Sequence, residues 1–218
     1  MTRRPSRTRR PSRTRTARGT ARCGSPSSPP ESTDRRLVTE NASPDVDPAD
    51  LAAVEQQLGR LPRGVVEIAA RCECGCPAVV RTLPRLPDGT PFPTTFYATC
   101  PRLTSAISTL EAQGMMREMT ERLGTDPELA AAYRAAHEDY LRRRAELGSV
   151  PEIEGISAGG MPDRVKCLHV LVAHSLAVGP GVNPLGDEAL AALPQWWDRG
   201  CCGVADAAEA ADTPEQDV

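Results

Sequence analysis

The segment Cys72-Glu73-Cys74-Gly75-Cys76-Pro77 constrains this chain more than any other. It separates one apolar, β-branched run at Val65, Val66 and Ile68 from a second around Ala78–Leu83. A connection that tight turns the chain back beside itself, and Gly75 supplies the backbone freedom such a turn needs. Thr94–Thr99 has the β-branched and aromatic content of a third strand, reached through a proline-rich connection with a turn signal at Asp88-Gly89. The three segments predict a small antiparallel meander, one face of which needs covering by the helices that follow.

Those helices are legible from their starts and their apolar spacing. Asp50–Leu58 carries Leu51, Val54 and Leu58 at i, i+3 and i+7. Pro101 opens a helix striped by Leu103, Ile107 and Leu110, and Met115, Met119 and Leu123 space a second one. Asp126-Pro127 is a capped start, and Leu129, Tyr133, Ala136, Tyr140 and Leu147 share one stripe of a helix reaching Leu147. Arg142, Arg143 and Arg144 fall mostly on its solvated side, with His137 at the stripe's edge. Asp163 caps an apolar helix over Arg164–Val178, and Asp187 a short one before Pro194. Trp196 and Trp197 then pack the chain end down. The fold class is α+β: a three-stranded antiparallel sheet covered by several helices.

This single domain is expected over 48–203. The 218 residues suit one ordinary domain. Residues 1–30 hold nine arginines and no acid, and 1–47 bury almost nothing, so a disordered arginine/serine/proline-rich tail is expected there. Residues 204–218, with five acids and no base, read as a flexible acidic tail. Because the rest of the chain is acidic, a uniformly basic nucleic-acid binder is disfavoured, and contact with nucleic acid is expected only through the N-terminal arm. No run approaches the roughly 20 apolar residues of a membrane span, and no apolar segment follows the basic N-terminus as in a secretory leader. The expected location is the cytoplasm, where thiols stay reduced.

Eight cysteines in such a compartment favour metal binding or thiol chemistry over a disulfide scaffold. Cys72 and Cys74 sit at the tight turn. Cys100 precedes Pro101 at a helix start, where negative charge is stabilised, and Cys167 lies on the most apolar helix. Four thiolates from Cys72, Cys74, Cys100 and Cys167 satisfy a zinc ion or a [4Fe–4S] cluster, with Cys76 and His174 as alternates. At 100° per residue Cys167 and His174 share a helix face while His169 points almost opposite. Cys23, in the tail, and the adjacent Cys201-Cys202 stand apart from this set.

The same region carries an enzyme reading, in which Cys100 or Cys167 is a nucleophile and His169 or His174 a base. Gly159-Gly160 ahead of a helix, with Arg164 and Lys166, offers an anion contact, although neither a GxxxxGK[ST] loop nor a Rossmann fingerprint is present. The leading expectation is a metal-supported accessory or interaction protein, with a protein partner.

An ordered set of pieces resembles the bacterial, notably actinobacterial, domain of unknown function family number 501. These pieces are Leu58-Gly59-Arg60-Leu61-Pro62-Arg63-Gly64, Cys72–Pro77, Phe92–Pro101 and Gly114–Met119, followed by Met161–His169, Ala173-His174 and Asn183–Asp187. The resemblance covers most of 48–198. Its CxCGxP pattern matches Cys72 and Cys74 and leaves Cys76 at a variable position. Cys100 and Cys167 also match recurring cysteines, so the resemblance favours that quartet. It implies no settled activity.

Overall fold

The structure, a computed structural model, describes residues 45–198. The expectations for the basic segment to residue 44, for Cys23, for Cys201-Cys202 and for the acidic segment lie outside those residues. Helix α1 (Pro48–Leu58) begins where the Asp47 carboxylate accepts from the Ala49 amide at 2.8 Å, with Pro48, which has no amide proton, in the first turn. Gly59, at a φ of 66°, stops it.

Strands β1 (Val65–Arg71), β2 (Pro77–Thr82) and β3 (Phe96–Ala98) form the expected sheet, in that order and antiparallel throughout. Ile68 lies opposite Val80, and Val79 opposite Ala98. The connection closes as expected: the Cys72 amide donates to the Cys76 carbonyl at 2.9 Å and the Gly75 amide to the Cys72 carbonyl at 2.8 Å. Gly75 takes a φ of 88°. β2 is buried on both faces, since Val79 joins the main core while Val80 packs with Leu51, Val54 and Val65. The later helices cover one face of the sheet, as expected, and α1 shields the other as well.

Helices α2 (Pro101–Ala112), α3 (Met115–Leu123) and α4 (Pro127–Ala145) follow β3. In α4, Asp126 accepts from the Glu128 and Leu129 amides at 3.0 Å each, and Tyr133, Ala136 and Tyr140 are fully buried. The helix ends two residues short of Leu147, and the inward position after Tyr140 falls on Arg144. The expected solvated arginine run is corrected here, because Arg144 is only 6 % exposed. Its guanidinium donates to the carbonyls of Ile153 and Ile156 at 2.7 and 2.5 Å, and burial lowers its pKa. It ties the turn at Pro151–Ile153 to α4.

Helix α5 (Leu168–Val178) touches all three strands, α2 and the last helix, α6 (Pro184–Ala192). It begins four residues later than the sequence predicts. The Arg164 and Lys166 amides donate to Gly160 and Gly159, at 3.1 and 2.7 Å, which folds this stretch into a turn and not a helix. Cys167 becomes the N-cap, with extended dihedrals, and Asp163 caps nothing. α6 likewise starts on Asn183, whose Oδ1 accepts from the Gly186 amide, and not on Asp187.

α5 and α6 approach most closely at Gly186. A methyl group there would lie 2.3 Å from the Leu171 carbonyl oxygen and 2.4 Å from Ser175 Oγ. Gly186→Ala is expected to separate the two helices and lose about 3 kcal/mol, read as a lower urea midpoint with unchanged slope. Among the described residues, no helix is long and apolar enough to cross a membrane.

Candidate metal centre and cleft

The late start of α5 determines what stands beside Cys167. His169 lies in the first turn of that helix, and α2 crosses nearby with a polar row at Thr104, Ser108 and Glu111, spaced i, i+4 and i+7. All three meet His169. Its Nδ1 is 3.2 Å from Glu111 Oε1, and its Nε2 is 3.2 Å from the Thr104 carbonyl and 3.5 Å from Ser108 Oγ. Glu111 Oε1 also accepts from the Leu168 amide at 2.7 Å, so a carboxylate occupies the N-terminus of α5.

Carboxylate and carbonyl oxygens only accept, so the ring satisfies both when both nitrogens carry protons. The hydrogen bond with Cys167 and the Glu111 charge outweigh partial burial and push the His169 pKa up to about 9. One ligand atom each from Glu111, Cys167 and His169 lie within 4.8 Å of one another, a group that can hold a metal ion. It is the one such group among the described residues. All three side chains are partly exposed, and Cys167 and His169 line a cleft of about 540 Å³ between α1, β3 and α5.

A family model described as a protein of unknown function (DUF501) matches residues 68–191. The chain belongs to the DUF501 family. Comparison with curated proteins and with solved structures gives no match. The span of the DUF501 match contains Glu111, Cys167, His169 and the cysteines at 72, 74, 76 and 100.

Of the cysteine quartet read from this DUF501 sequence, Cys167 joins the three-residue group. Cys72, Cys76 and Cys100 are buried in the main core at 4, 3 and 0 % exposure, with Cys74 packed against it. No disulfide links any two of the described cysteines. Cys100 caps α2 without a side-chain hydrogen bond to the helix. Of the two candidate nucleophiles, Cys167 is the one on the cleft.

His174 serves the core. Its ring is fully buried, stacked on Phe96 at 5.6 Å and edge-on to Tyr140 at 5.2 Å. Asn183 spends its oxygen on Gly186, so its Nδ2 faces His174 Nδ1, 3.3 Å away, and donates to it. Nε2–H then donates to Asp139 at 3.0 Å, which fixes the neutral tautomer. Burial pushes the His174 pKa down against the pull of Asp139.

Of the anion candidates, Arg164 and Lys166 are exposed. Their amides are taken by Gly160 and Gly159, and that of Val165 donates to Thr120 Oγ1 at 3.0 Å. Of Arg164 and Lys166, only the side chains remain to meet an anion. Glu111 escaped the sequence reading, although the polar row on α2 was its visible signal.

Proposed function

We propose that this DUF501 protein is a zinc protein whose ion is held by Glu111, Cys167 and His169, with a further coordination position opening onto the cleft. The observation that carries this reading is the convergence of carboxylate, thiol and imidazole within 4.8 Å at the end of that cleft. A thiolate in the set disfavours magnesium and calcium, and a single thiolate disfavours a [4Fe–4S] cluster. Three mixed protein ligands with an open place are the pattern of catalytic zinc, where a purely structural zinc has four protein ligands. His169 is held as zinc-ligating histidines commonly are, with Nε2–H on the Thr104 carbonyl and Nδ1 turned toward Glu111. The same negative surroundings that raise its pKa favour a cation at Nδ1.

When bound, the ion supplies Lewis acidity, polarising a carbonyl or activating water. The protein orients the ligand along β3 and α5 and shields it in the cleft. A metal held there would face a cleft of small-molecule size, which supports the enzyme reading over a purely accessory one. Anaerobic purification of the full chain followed by metal and sulfide analysis tests it. About one zinc per chain without sulfide is expected, whereas folded protein that holds no zinc and takes none up refutes it.

One observation favours a second reading. An imidazole within 4.8 Å of the Cys167 sulfur, with Glu111 at 3.2 Å from its Nδ1, is the arrangement of an activated nucleophilic thiol. Under that reading chelation leaves activity intact, while under the zinc reading it abolishes activity.

A further inference from the structure

The turn that joins β1 to β2 carries three thiols that the metal centre does not use. Arg71 lies opposite Pro77 in the ladder, so the next residues toward the turn, Cys72 and Cys76, face each other. The Cys72 amide donates to the Cys76 carbonyl at 2.9 Å, and only Glu73, Cys74 and Gly75 lie between them. Facing residues of an antiparallel pair share one side of the sheet, and both of these side chains are buried in the main core. The Cα atoms of such a pair stand about 4.5–5.5 Å apart, inside the roughly 4.4–6.8 Å that a disulfide spans.

The surroundings supply what thiol chemistry needs, a cation and a way in. Arg71 is held by Asp50 through two bonds, of 2.7 and 2.6 Å, and by the Gly75 carbonyl at 3.1 Å. Its guanidinium interacts with the charge of Cys76, and a neighbouring arginine favours the thiolate, the nucleophilic form. Cys72 and Cys76 are buried, whereas Cys74, at the tip of the same turn, is partly exposed.

We infer that Cys72 and Cys76 form a reversible disulfide when the chain meets a peroxide, and that Cys74 is where the peroxide enters. The Cys74 thiolate attacks one peroxide oxygen, which gives a sulfenic acid and releases hydroxide. The Cys76 thiolate attacks the Cys74 sulfur, and a second hydroxide leaves. The Cys72 thiolate then attacks the Cys76 sulfur and returns Cys74 as the leaving thiolate. The protons given up by Cys72 and Cys76 turn both hydroxides into water, and the peroxide gains the two electrons that the two sulfurs lose. In a reducing compartment such a bond is transient and reports an oxidising episode. The inference does not rest on the zinc reading, since none of the three thiols belongs to that centre.

Peroxide treatment of the full chain tests it, followed by catalase, alkylation with iodoacetamide in denaturant and digestion with trypsin. Cleavage after Arg71 and Arg81 leaves all three thiols on one peptide, residues 72–81. After oxidation this peptide is expected to lose two hydrogens and take up a single alkyl group, and dithiothreitol added before alkylation should restore the uptake of three. Cys74→Ser identifies the pair: its peptide should still lose two hydrogens and take up no alkyl group, but severalfold more slowly than in the unaltered chain. Cys74→Ala is the second variant, and far-UV circular dichroism reads the fold of both. Three alkyl groups on the oxidised peptide of the unaltered chain, or two on that of a folded Cys74 variant, would overturn the inference. So would a pair that closes equally fast with and without Cys74, or Cys74 joined to another peptide while Cys72 and Cys76 stay open to alkylation.

Discussion

Cys167→Ser protein is expected to bind zinc at least about 100-fold more weakly than the unaltered chain while keeping its fold. Losing a partner behind a zinc ligand already costs about 10- to 100-fold, and this change replaces the soft ligand itself. The fold survives because Cys167 is the N-cap of α5 and makes no side-chain capping bond, whereas serine is among the best N-cap residues. Competition with a chromophoric chelator measures the affinity and thermal unfolding measures the fold. Unchanged affinity would remove Cys167 from the site. A collapse in stability in the zinc-free state would show that its role is structural.

The largest loss of stability is expected at His174. Alanine there removes a fully buried ring packed on Phe96 and Tyr140 and leaves the Asn183 amide, fixed by its bond to Gly186, with only the weakly accepting Met161 sulfur at 3.9 Å. The cost is about 4 kcal/mol, read from urea unfolding. Its pH dependence has a definite sign. The unfolded chain protonates this histidine near pH 6.5, and the fold does so only at lower pH, with Asp139 and Asp187 pulling the pKa up and burial and Arg143 holding it down. Below about pH 6.5 the unfolded state binds more protons, so stability falls on acidification.

His169 gives the opposite arm. Its pKa of about 9 lies above that of the unfolded chain, so its contribution is complete below about pH 6.5 and is lost as pH rises through 9. For a side chain 28 % exposed, solvent screening reduces this to about 1 kcal/mol between pH 7 and 9. Zinc-free protein is therefore expected to be most stable near pH 6.5, and zinc to suppress the alkaline loss, since ion and proton compete for one ring nitrogen. Unfolding midpoints between pH 5 and 9, with and without zinc, check both arms. In His174→Ala protein the acid arm should shrink and the alkaline arm persist.

The meander and most helices were legible because their determinants are local. Asp126-Pro127 capped α4, Tyr133, Ala136 and Tyr140 kept their periodicity into the core, and the Cys72–Pro77 turn closed through bonds within its own few residues. The site was legible only in Cys167 and, by residue type, His169. Placing both on one helix from Arg164 set them on opposite faces, but the 100° rule holds only inside a helix. Gly159 and Gly160 stop it short of Cys167, and that residue turns back toward His169. No periodicity reports such a boundary, because a carbonyl several residues upstream makes it. Glu111 was hidden for another reason: α2 was read by its buried stripe, Leu103 and Ile107, whereas the functional row lies on its polar side.

The central claim is that the ion sits among one sulfur and lighter donors, and zinc K-edge X-ray absorption on the full chain tests it most directly. The expected spectrum fits one sulfur near 2.3 Å and about three nitrogen or oxygen atoms near 2.0–2.1 Å. Glu111→Gln and His169→Ala should each lower the zinc content. A shell of four sulfurs would assign the metal to the cysteines of the turn and of α2, and would contradict the Glu111–Cys167–His169 centre.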